Sequence, residues 1–151
     1  MARLNIEAQT ETMLKNSFVT ALASDTITGV SMRRFWTSDT NAAFEEIALP
    51  AVVITAQPNF PSGYQSPLRK IPVSVTMITS EASDKKRTTL AGIYNAIRKD
   101  VDFGSFSDTN FANVEVWTVD GGTAGIEATD RGLVSKVDLQ LEVEIAYAGA
   151  V

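Results

Sequence analysis

Residues 133–147 read LVSKVDLQLEVEIAY, and apolar side chains alternate with polar ones over most of this stretch. Successive side chains of a strand point to opposite faces, so the alternation predicts one long strand with a core face and a polar face. The polar face is expected either to be solvated or to meet a charged partner. The core face comprises Leu133, Val137, Leu139, Leu141, Val143, Ile145 and Tyr147, and the polar face Lys136, Asp138, Gln140, Glu142 and Glu144.

The residues before this strand predict a second strand and a turn. Val114–Val119 is the expected strand, and Asp120–Arg131 (DGGTAGIEATDR) is a glycine-rich connection. Asp-Gly and Gly-Gly supply the positive φ angles of hairpin turns, so we expect a hairpin here. A phosphate-binding loop is the weaker interpretation, because no lysine follows the glycines and no helix is expected to begin there.

A helix is predicted over residues 84–101, DKKRTTLAGIYNAIRKDV, because its apolar side chains recur at helical spacing. Ser83 and Asp84 are its expected N-cap, and Gly104 follows its end. Ser83 and Lys86 also match the S-x-x-K pattern, in which a lysine activates a serine. Capping explains them better, since the companion motifs of that chemistry are missing from the sequence.

Three strands and a loop are predicted in the first half of the chain. Leu68–Thr79 alternates as a strand does, and Pro72, which lacks an N–H, indicates an edge position or a bulge there. Pro58–Pro67 (PNFPSGYQSP) is the expected loop or hairpin tip. The apolar run in Leu49–Ala56 predicts a strand covered on both faces, and Thr26–Thr37 is a further strand.

The N-terminal residues predict a first helix. Ile6–Ser24 has apolar residues at helical spacing, with Asn5 as its N-cap. Ser38–Glu46 is ambiguous, with a turn of helix around Ala42–Glu46 as one option. The order of elements predicts the α+β class, a mainly antiparallel sheet with two helices packed on one face. No linker divides the chain, so residues 1–151 are expected to form a single domain.

Composition argues against most enzyme classes. The 151 residues contain no histidine and no cysteine, which removes the commonest general base, thiol nucleophiles and most zinc and iron–sulfur ligands. A net charge of -5 argues against a dedicated nucleic-acid binder. The N-terminus lacks the apolar region of a secretory signal, and four prolines interrupt the longest uncharged stretch, Ile47–Leu68, so no membrane span is expected.

Two groups of acids are candidates for chemical sites. Asp100, Asp102 and Asp108 lack the spacing of a calcium loop, so a solvated loop is the favoured interpretation. The acids of the 133–147 polar face are a conceivable carboxylate pair for hydrolysis, but that chemistry needs one carboxyl in an apolar pocket. A hydrolase of this kind predicts a deep pocket with two carboxyls near Trp36 or Trp117. We expect a non-enzyme without metal or cofactor.

Basic pairs and loop aromatics are the stronger signals. Paired cations in an acidic chain are typical of solvated faces or intersubunit salt bridges, and aromatic rings in loops are typical of protein–protein surfaces. The residues predicted to serve self-assembly or contact with a partner are Arg33, Arg34, Trp36, Phe60, Tyr64, Arg69, Lys70, Asp138, Glu142 and Glu144.

The sequence resembles the tail terminator, or tail completion, proteins of long-tailed bacteriophages. The resemblance lies in the N-terminal helix around Met13–Leu22, the strands LPAVVITAQ and IPVSVTMIT with the proline-rich loop between them, the helix DKKRTTLAGIYNAIRKDV and the closing strand VDLQLEVEIAY. It covers most of the chain and concerns size, element order and acidic, cysteine-free character.

The resemblance implies an α+β fold without cofactor and a hexameric ring. Such a ring caps the tail tube, ends tube polymerisation and presents a surface to the head–tail connector proteins, while genomic DNA only passes through its lumen. The chain would then reside in the tail or neck of a virion assembled in the host cytoplasm. Asp138, Glu142 and Glu144 are expected to face the lumen or a neighbouring subunit, and Pro58–Pro67 to contact a neighbouring subunit or the tube.

Two alternatives remain beside this interpretation. A head-completion or head–tail joining protein would also be a small ring-forming virion component. A small non-viral α+β protein-binding module would act as a monomer or dimer instead.

Overall fold

A computed structural model of the chain describes residues 5–36, 48–64, 66–80, 84–129 and 132–147. The turn of helix considered at Ala42–Glu46 and the expected cap Ser83 lie outside these ranges. The elements in chain order are α1 (Ile6–Ser24), β1 (Ser31–Arg34), β2 (Ala51–Ala56), β3 (Phe60–Pro61), β4 (Leu68–Ser80), α2 (Asp84–Phe103), β5 (Phe111–Thr129) and β6 (Gly132–Tyr147).

The strands form one sheet in the order β1-β2-β4-β6-β5, with β3 pairing beside β4. The β1–β2 pair is parallel and the other pairs are antiparallel. Both helices pack on the same face of the sheet, where Leu14, Phe18, Ile93 and Ile97 are fully buried against the strands. The predicted α+β class, with a mainly antiparallel sheet and helices on one face, is confirmed.

The two predicted helices begin and end close to where the sequence placed them. Asn5 caps α1, since its side-chain oxygen accepts a hydrogen bond of 2.9 Å from the N–H of Ala8. Gly104 directly follows α2, and its N–H donates to the carbonyl of Asp100 at 2.8 Å.

The glycine-rich segment is strand rather than connection. β5 continues through it to Thr129 and pairs with β6 as far as Thr129 opposite Gly132. The hairpin turn expected at the glycines is therefore wrong. Between Asp120 and Thr123, β5 gains one residue relative to β6, and Gly122 has φ 91°, so the glycines form a β-bulge.

The sequence also predicted an edge strand or a bulge at Pro72, and this prediction is wrong. β4, which contains Pro72, lies between β2 and β6 and pairs with β6 in unbroken register. The carbonyl of Pro72 accepts from the N–H of Gln57 at 2.7 Å, so the proline nitrogen points to the same side. There β2 has ended at Ala56 and β3 has not begun. A proline is tolerated in this central strand because the hydrogen bond that its nitrogen cannot donate falls beside Gln57, just past the end of β2.

Two strand predictions need smaller corrections. The strand expected over Thr26–Thr37 is shortened to Ser31–Arg34, because Thr26 and Gly29 have φ angles of 56° and 75° that interrupt extended backbone. The expectation that β2 is covered on both faces holds at Ala51, whereas Val53 and Thr55 are half-buried.

Candidate functional site

The face of the sheet opposite the helices carries the predicted acids. Asp138, Glu142 and Glu144 are even-numbered residues of β6, and the odd-numbered Leu139, Leu141, Val143 and Ile145 beside them are buried in the core. Strand alternation therefore places all three carboxylates on the same surface. We call it the polar face, and its members include Arg33, Lys70, Ser74, Thr76, Trp117, Glu127, Lys136, Asp138, Gln140, Glu142 and Glu144.

Each of the three carboxylates has a partner on a neighbouring strand or loop. Thr76 donates to Asp138 at 2.7 Å, and Ser62 donates to Glu144 at 2.6 Å. Glu142 pairs with Lys70 across β4 and β6, with 3.2 Å between Nζ and Oε1. The acids are therefore fixed in orientation, as a contact surface requires, and are not gathered into one pocket.

At one end of the polar face, Lys70 lies close to residues of three neighbouring strands. Its Nζ is 3.2 Å from Glu142 and 6.0 Å from the centre of the Trp117 ring, a cation–π distance. Phe60 of β3 is the register partner of Lys70 and is 43% exposed. Tyr64, in the turn that follows β3, is 93% exposed. The structure thus brings Phe60, Lys70, Glu142 and Glu144 together, with Tyr64 just beyond them.

Lys136 organises the other end of the polar face. Its Nζ lies 3.2 Å from Glu127 and 3.7 Å from Asp138. The hydrogen bond that Lys136 donates to Glu127, followed by the charge of Asp138, raises the pKa of Lys136 despite the opposing effect of burial. From the sequence, this lysine was predicted only to lie on the polar face of the strand.

Three of the predicted contact residues lie on the helix side of the sheet and hold the fold together. Arg34 donates to the hydroxyl of Thr12 at 2.7 Å, and Arg69 donates to the Asn59 side chain at 2.8 Å. The indole N–H of Trp36 donates to the carbonyl of Ala56 at 2.6 Å. Arg33 lies apart from the cluster around Lys70, on the β1 edge of the polar face.

Two acids of α1 were missed as structural residues. Glu11 is fully buried, and its oxygens accept the backbone N–H groups of Trp36 at 2.7 Å and Ala56 at 2.8 Å. Burial raises the pKa of Glu11, and these hydrogen bonds oppose the rise only in part. The spacing of Glu11 from Leu14 and Phe18 could have predicted its burial, because residues three and seven positions apart share a helix face.

Glu7 ties α1 to the loop before β3. It accepts both the backbone N–H of Asn59 at 2.9 Å and its side-chain amide at 2.7 Å. Burial acts to raise the pKa of Glu7, but the hydrogen bonds from Asn59 and the charge of Arg69 outweigh it, and the pKa is lowered.

Two grooves lie on the helix side. The first, of about 670 Å³, lies between the C-terminal halves of α1 and α2, and its lining includes Asp100 and Asp108. The second, of about 520 Å³, lies between α2 and the bulged part of β5. Neither is lined by Trp36 or Trp117, near which the hydrolase alternative predicts a pocket with two carboxyls. A third hollow, of about 240 Å³, is lined by Glu115 and Glu144 but by neither tryptophan.

Asp100, Asp102 and Asp108 have separate partners. Ser17 donates to Asp100 at 2.5 Å, Arg98 lies 3.3 Å from Asp102, and Asp108 accepts from Asn110. Burial raises the pKa of Asp100, with the Ser17 hydrogen bond opposing. In the described ranges, no three acidic side chains come together in a way that would hold a metal ion. No helix in those ranges has the length and apolarity to span a membrane.

The fold defines a small α+β protein with a mixed six-stranded sheet, and in the described ranges both helices lie on the face opposite the polar face. Comparison with models of protein families gives no match, and none of the curated proteins matches either. Among solved structures, the chain is similar to a chain of the "Virion of native gene transfer agent (GTA) particle". The TM-score is 0.59 at 11% identity, over 93% of this chain and 96% of that chain, which shows a shared fold.

Proposed function

We propose that this chain is a structural virion protein, a tail terminator that forms a ring on the end of a tail tube, stops its growth and offers a surface to the head connector. The observation that carries the proposal is the fold shared, almost end to end, with a chain of a gene transfer agent virion. The resemblance of the sequence to tail terminators supports the same conclusion.

The geometry of the polar face supports an assembly role. Its charges are paired and fixed by short contacts across strands rather than gathered in a cleft, as shown by Lys70 with Glu142 and Thr76 with Asp138. Exposed aromatic rings border it at Phe60 and Tyr64. Aromatic rings are enriched at protein–protein surfaces. A net charge of -5 would let DNA pass a lumen without strong binding.

A tube-elongation experiment tests the proposal. Tail tube protein encoded in the same genome is allowed to polymerise, and the purified chain is added at increasing ratios. We expect tubes to stop growing and to carry a ring at one end in electron micrographs. A head-completion protein would leave tube length unchanged and bind only to the connector, and a protein-binding module outside the virion would bind neither.

A further inference from the structure

One row of side chains crosses the polar face from β3 to β5. Phe60 lies directly opposite Lys70, which lies opposite Glu144 on its other side. Glu144 in turn lies opposite Glu115 of β5. Directly opposite residues of paired strands point to the same face, with their Cβ atoms about 4.5–5.5 Å apart. The row therefore places an aromatic ring, a cation and two carboxylates side by side on one surface.

The cation of this row does not bridge its two acids. Lys70 reaches diagonally to Glu142, with 3.2 Å between Nζ and Oε1. Glu144 accepts a hydrogen bond of 2.6 Å from the hydroxyl of Ser62. Glu115 is exposed, and none of the ion pairs found within the described ranges involves it. Two carboxylates thus lie next to each other without a cation between them.

This end of the polar face has an excess of negative charge. The carboxylates of Glu115, Glu142 and Glu144 lie around one lysine, and like charges directly opposite each other on two strands are destabilising. Glu115 and Glu144 also line the hollow of about 240 Å³. One water molecule takes up about 30 Å³ of the liquid, so the hollow has room for the head group of a charged side chain. A cation from a partner would meet both carboxylates in one place.

An arginine side chain fits this row. Its planar guanidinium carries five N–H donors in a fixed fork and can bond to two carboxylates at once. Guanidinium groups also stack on aromatic rings, and the exposed ring of Phe60 lies in the same row, with Tyr64 just beyond it. A lysine offers a single point charge, and lysine is depleted at protein–protein interfaces whereas arginine is enriched.

A second copy of this chain is a poor source of that arginine. Every arginine in the described ranges already makes an interaction within its own chain, namely Arg33, Arg34, Arg69, Arg87 and Arg98. A copy would have to give up such an interaction to make the new one. The charge of the row therefore favours a different protein, and the tail tube is the partner that the proposed function provides.

We propose that Glu115 and Glu144 receive an arginine side chain of the tail tube protein, while the rings of Phe60 and Tyr64 are covered by the groups around that arginine. The inference rests on the proposed function and names the chemistry of the partner at this end of the polar face. Two carboxylates that repel each other in the free chain would become a favourable site once the guanidinium lies between them.

Glu115→Lys tests this inference, because it supplies from within the chain the cation that the tube would bring. We expect its stability in urea to equal or exceed that of the wild type, since an attractive pair with Glu144 replaces a repulsive one. Its co-sedimentation with preformed tubes should weaken at least about tenfold, because the site would present a cation to an arginine. Glu127→Lys, at an exposed position of the same strand, changes the charge equally and should bind as the wild type does.

Chemical modification of the tubes tests the type of cation. Tubes treated with phenylglyoxal, which modifies arginine, should no longer bind the wild type, whereas tubes with acetylated lysines should bind it as before. Electron micrographs verify that both kinds of tube stay intact. Loss of binding after acetylation alone would overturn the choice of arginine.

The outcomes separate this inference from the proposed function. Glu115→Lys that binds tubes as tightly as the wild type would overturn the inference, and the proposed function would stand if both proteins still stop tube growth. A weakening of the same size in Glu127→Lys would also overturn the inference, since net charge alone would then explain the loss. A wild type that neither binds tubes nor stops their growth would overturn both.

Discussion

The carboxylate of Glu11, in the second turn of α1, accepts the backbone N–H of Trp36 at 2.7 Å, although 25 residues separate them. Its other oxygen accepts the N–H of Ala56 at the end of β2. One buried side chain thus fixes the ends of β1 and β2 to the helix layer, and with them the edge that carries Arg33 and Trp36.

Replacing Glu11 by alanine removes the acceptor of two N–H groups. We expect Glu11→Ala to lower the free energy of unfolding by about 3 kcal/mol, because buried donors without a partner are costly. Urea denaturation measures the loss. Thr20→Ala, at an exposed position of the same helix, serves as the control, and an equal effect of both variants would contradict the role of Glu11.

The pKa of Glu11 is raised above its ordinary value of 4.5, which fixes a pH dependence. The folded state binds the proton of the Glu11 carboxyl more tightly than the unfolded state does. Protonated Glu11 therefore contributes to stability below pH 4.5, and this contribution is lost as the pH rises through the folded pKa of Glu11. We expect the stability of the wild type relative to Glu11→Gln to fall as the pH rises from 4.5 through the folded pKa of Glu11.

Glu7 provides the control of opposite sign, because its pKa is lowered. The wild type should gain stability over Glu7→Gln as the pH rises above the folded pKa of Glu7. Urea titrations of all three proteins at several pH values measure both differences. Parallel trends for the two glutamates would show that the pKa directions are not as described.

The Asn5 cap is open to a simple test. Asn5→Ala removes the acceptor of the Ala8 N–H and should cost about 1 kcal/mol of stability. Asn16→Ala, exposed within α1, should leave stability nearly unchanged. Thermal unfolding followed by circular dichroism measures both, and a loss of the same size at Asn16 would refute a specific capping effect.

Gly122 is required by the bulge in β5. Its φ is 91°, and an added Cβ would lie 3.1 Å from the carbonyl oxygen of Asp138. Gly122→Ala should therefore destabilise the protein by about 2 kcal/mol. Gly125→Ala is the matched control, since open space surrounds its position. Chemical denaturation compares them, and a tolerated alanine at Gly122 would mean that the bulge can rearrange.

The aromatic rings beside the polar face should serve contact and not stability. Phe60→Ser and Tyr64→Ser are expected to weaken assembly or binding to the tail tube at least about tenfold, because exposed aromatic anchors dominate many interfaces. Phe103→Ser, 85% exposed at the end of α2, is the matched control. Co-sedimentation with tubes measures binding. Equal loss for all three variants would point to general surface hydrophobicity.

The regular elements could be predicted because their periodicity is local. The alternation in 133–147 and the apolar spacing in 84–101 each depend on one stretch of chain, and both elements appear where expected. The glycines at 121–122 were misjudged because the same residues suit a turn and a bulge, and only the register against β6 separates the two. Pro72 was misjudged because the lengths of β2 and β3 decide what faces its nitrogen.

The candidate site was predictable in part, because the periodicity that places side chains on one face of a strand is local. Strand alternation is enough to place Asp138, Glu142 and Glu144 on one face. Their partners come from other elements, such as Ser62 before β4, and these contacts follow from tertiary register alone. The role of Glu11 could not be predicted locally, because its hydrogen bonds reach residues 25 and 45 positions away.

The mass and shape of the purified protein test the ring most directly. Light scattering at high concentration, with electron microscopy of the same sample, should show closed rings with a central hole and a mass that is a multiple of 16.3 kDa, greater than two copies. A species that stays at 16.3 kDa, or closes as a pair, would contradict the proposed ring.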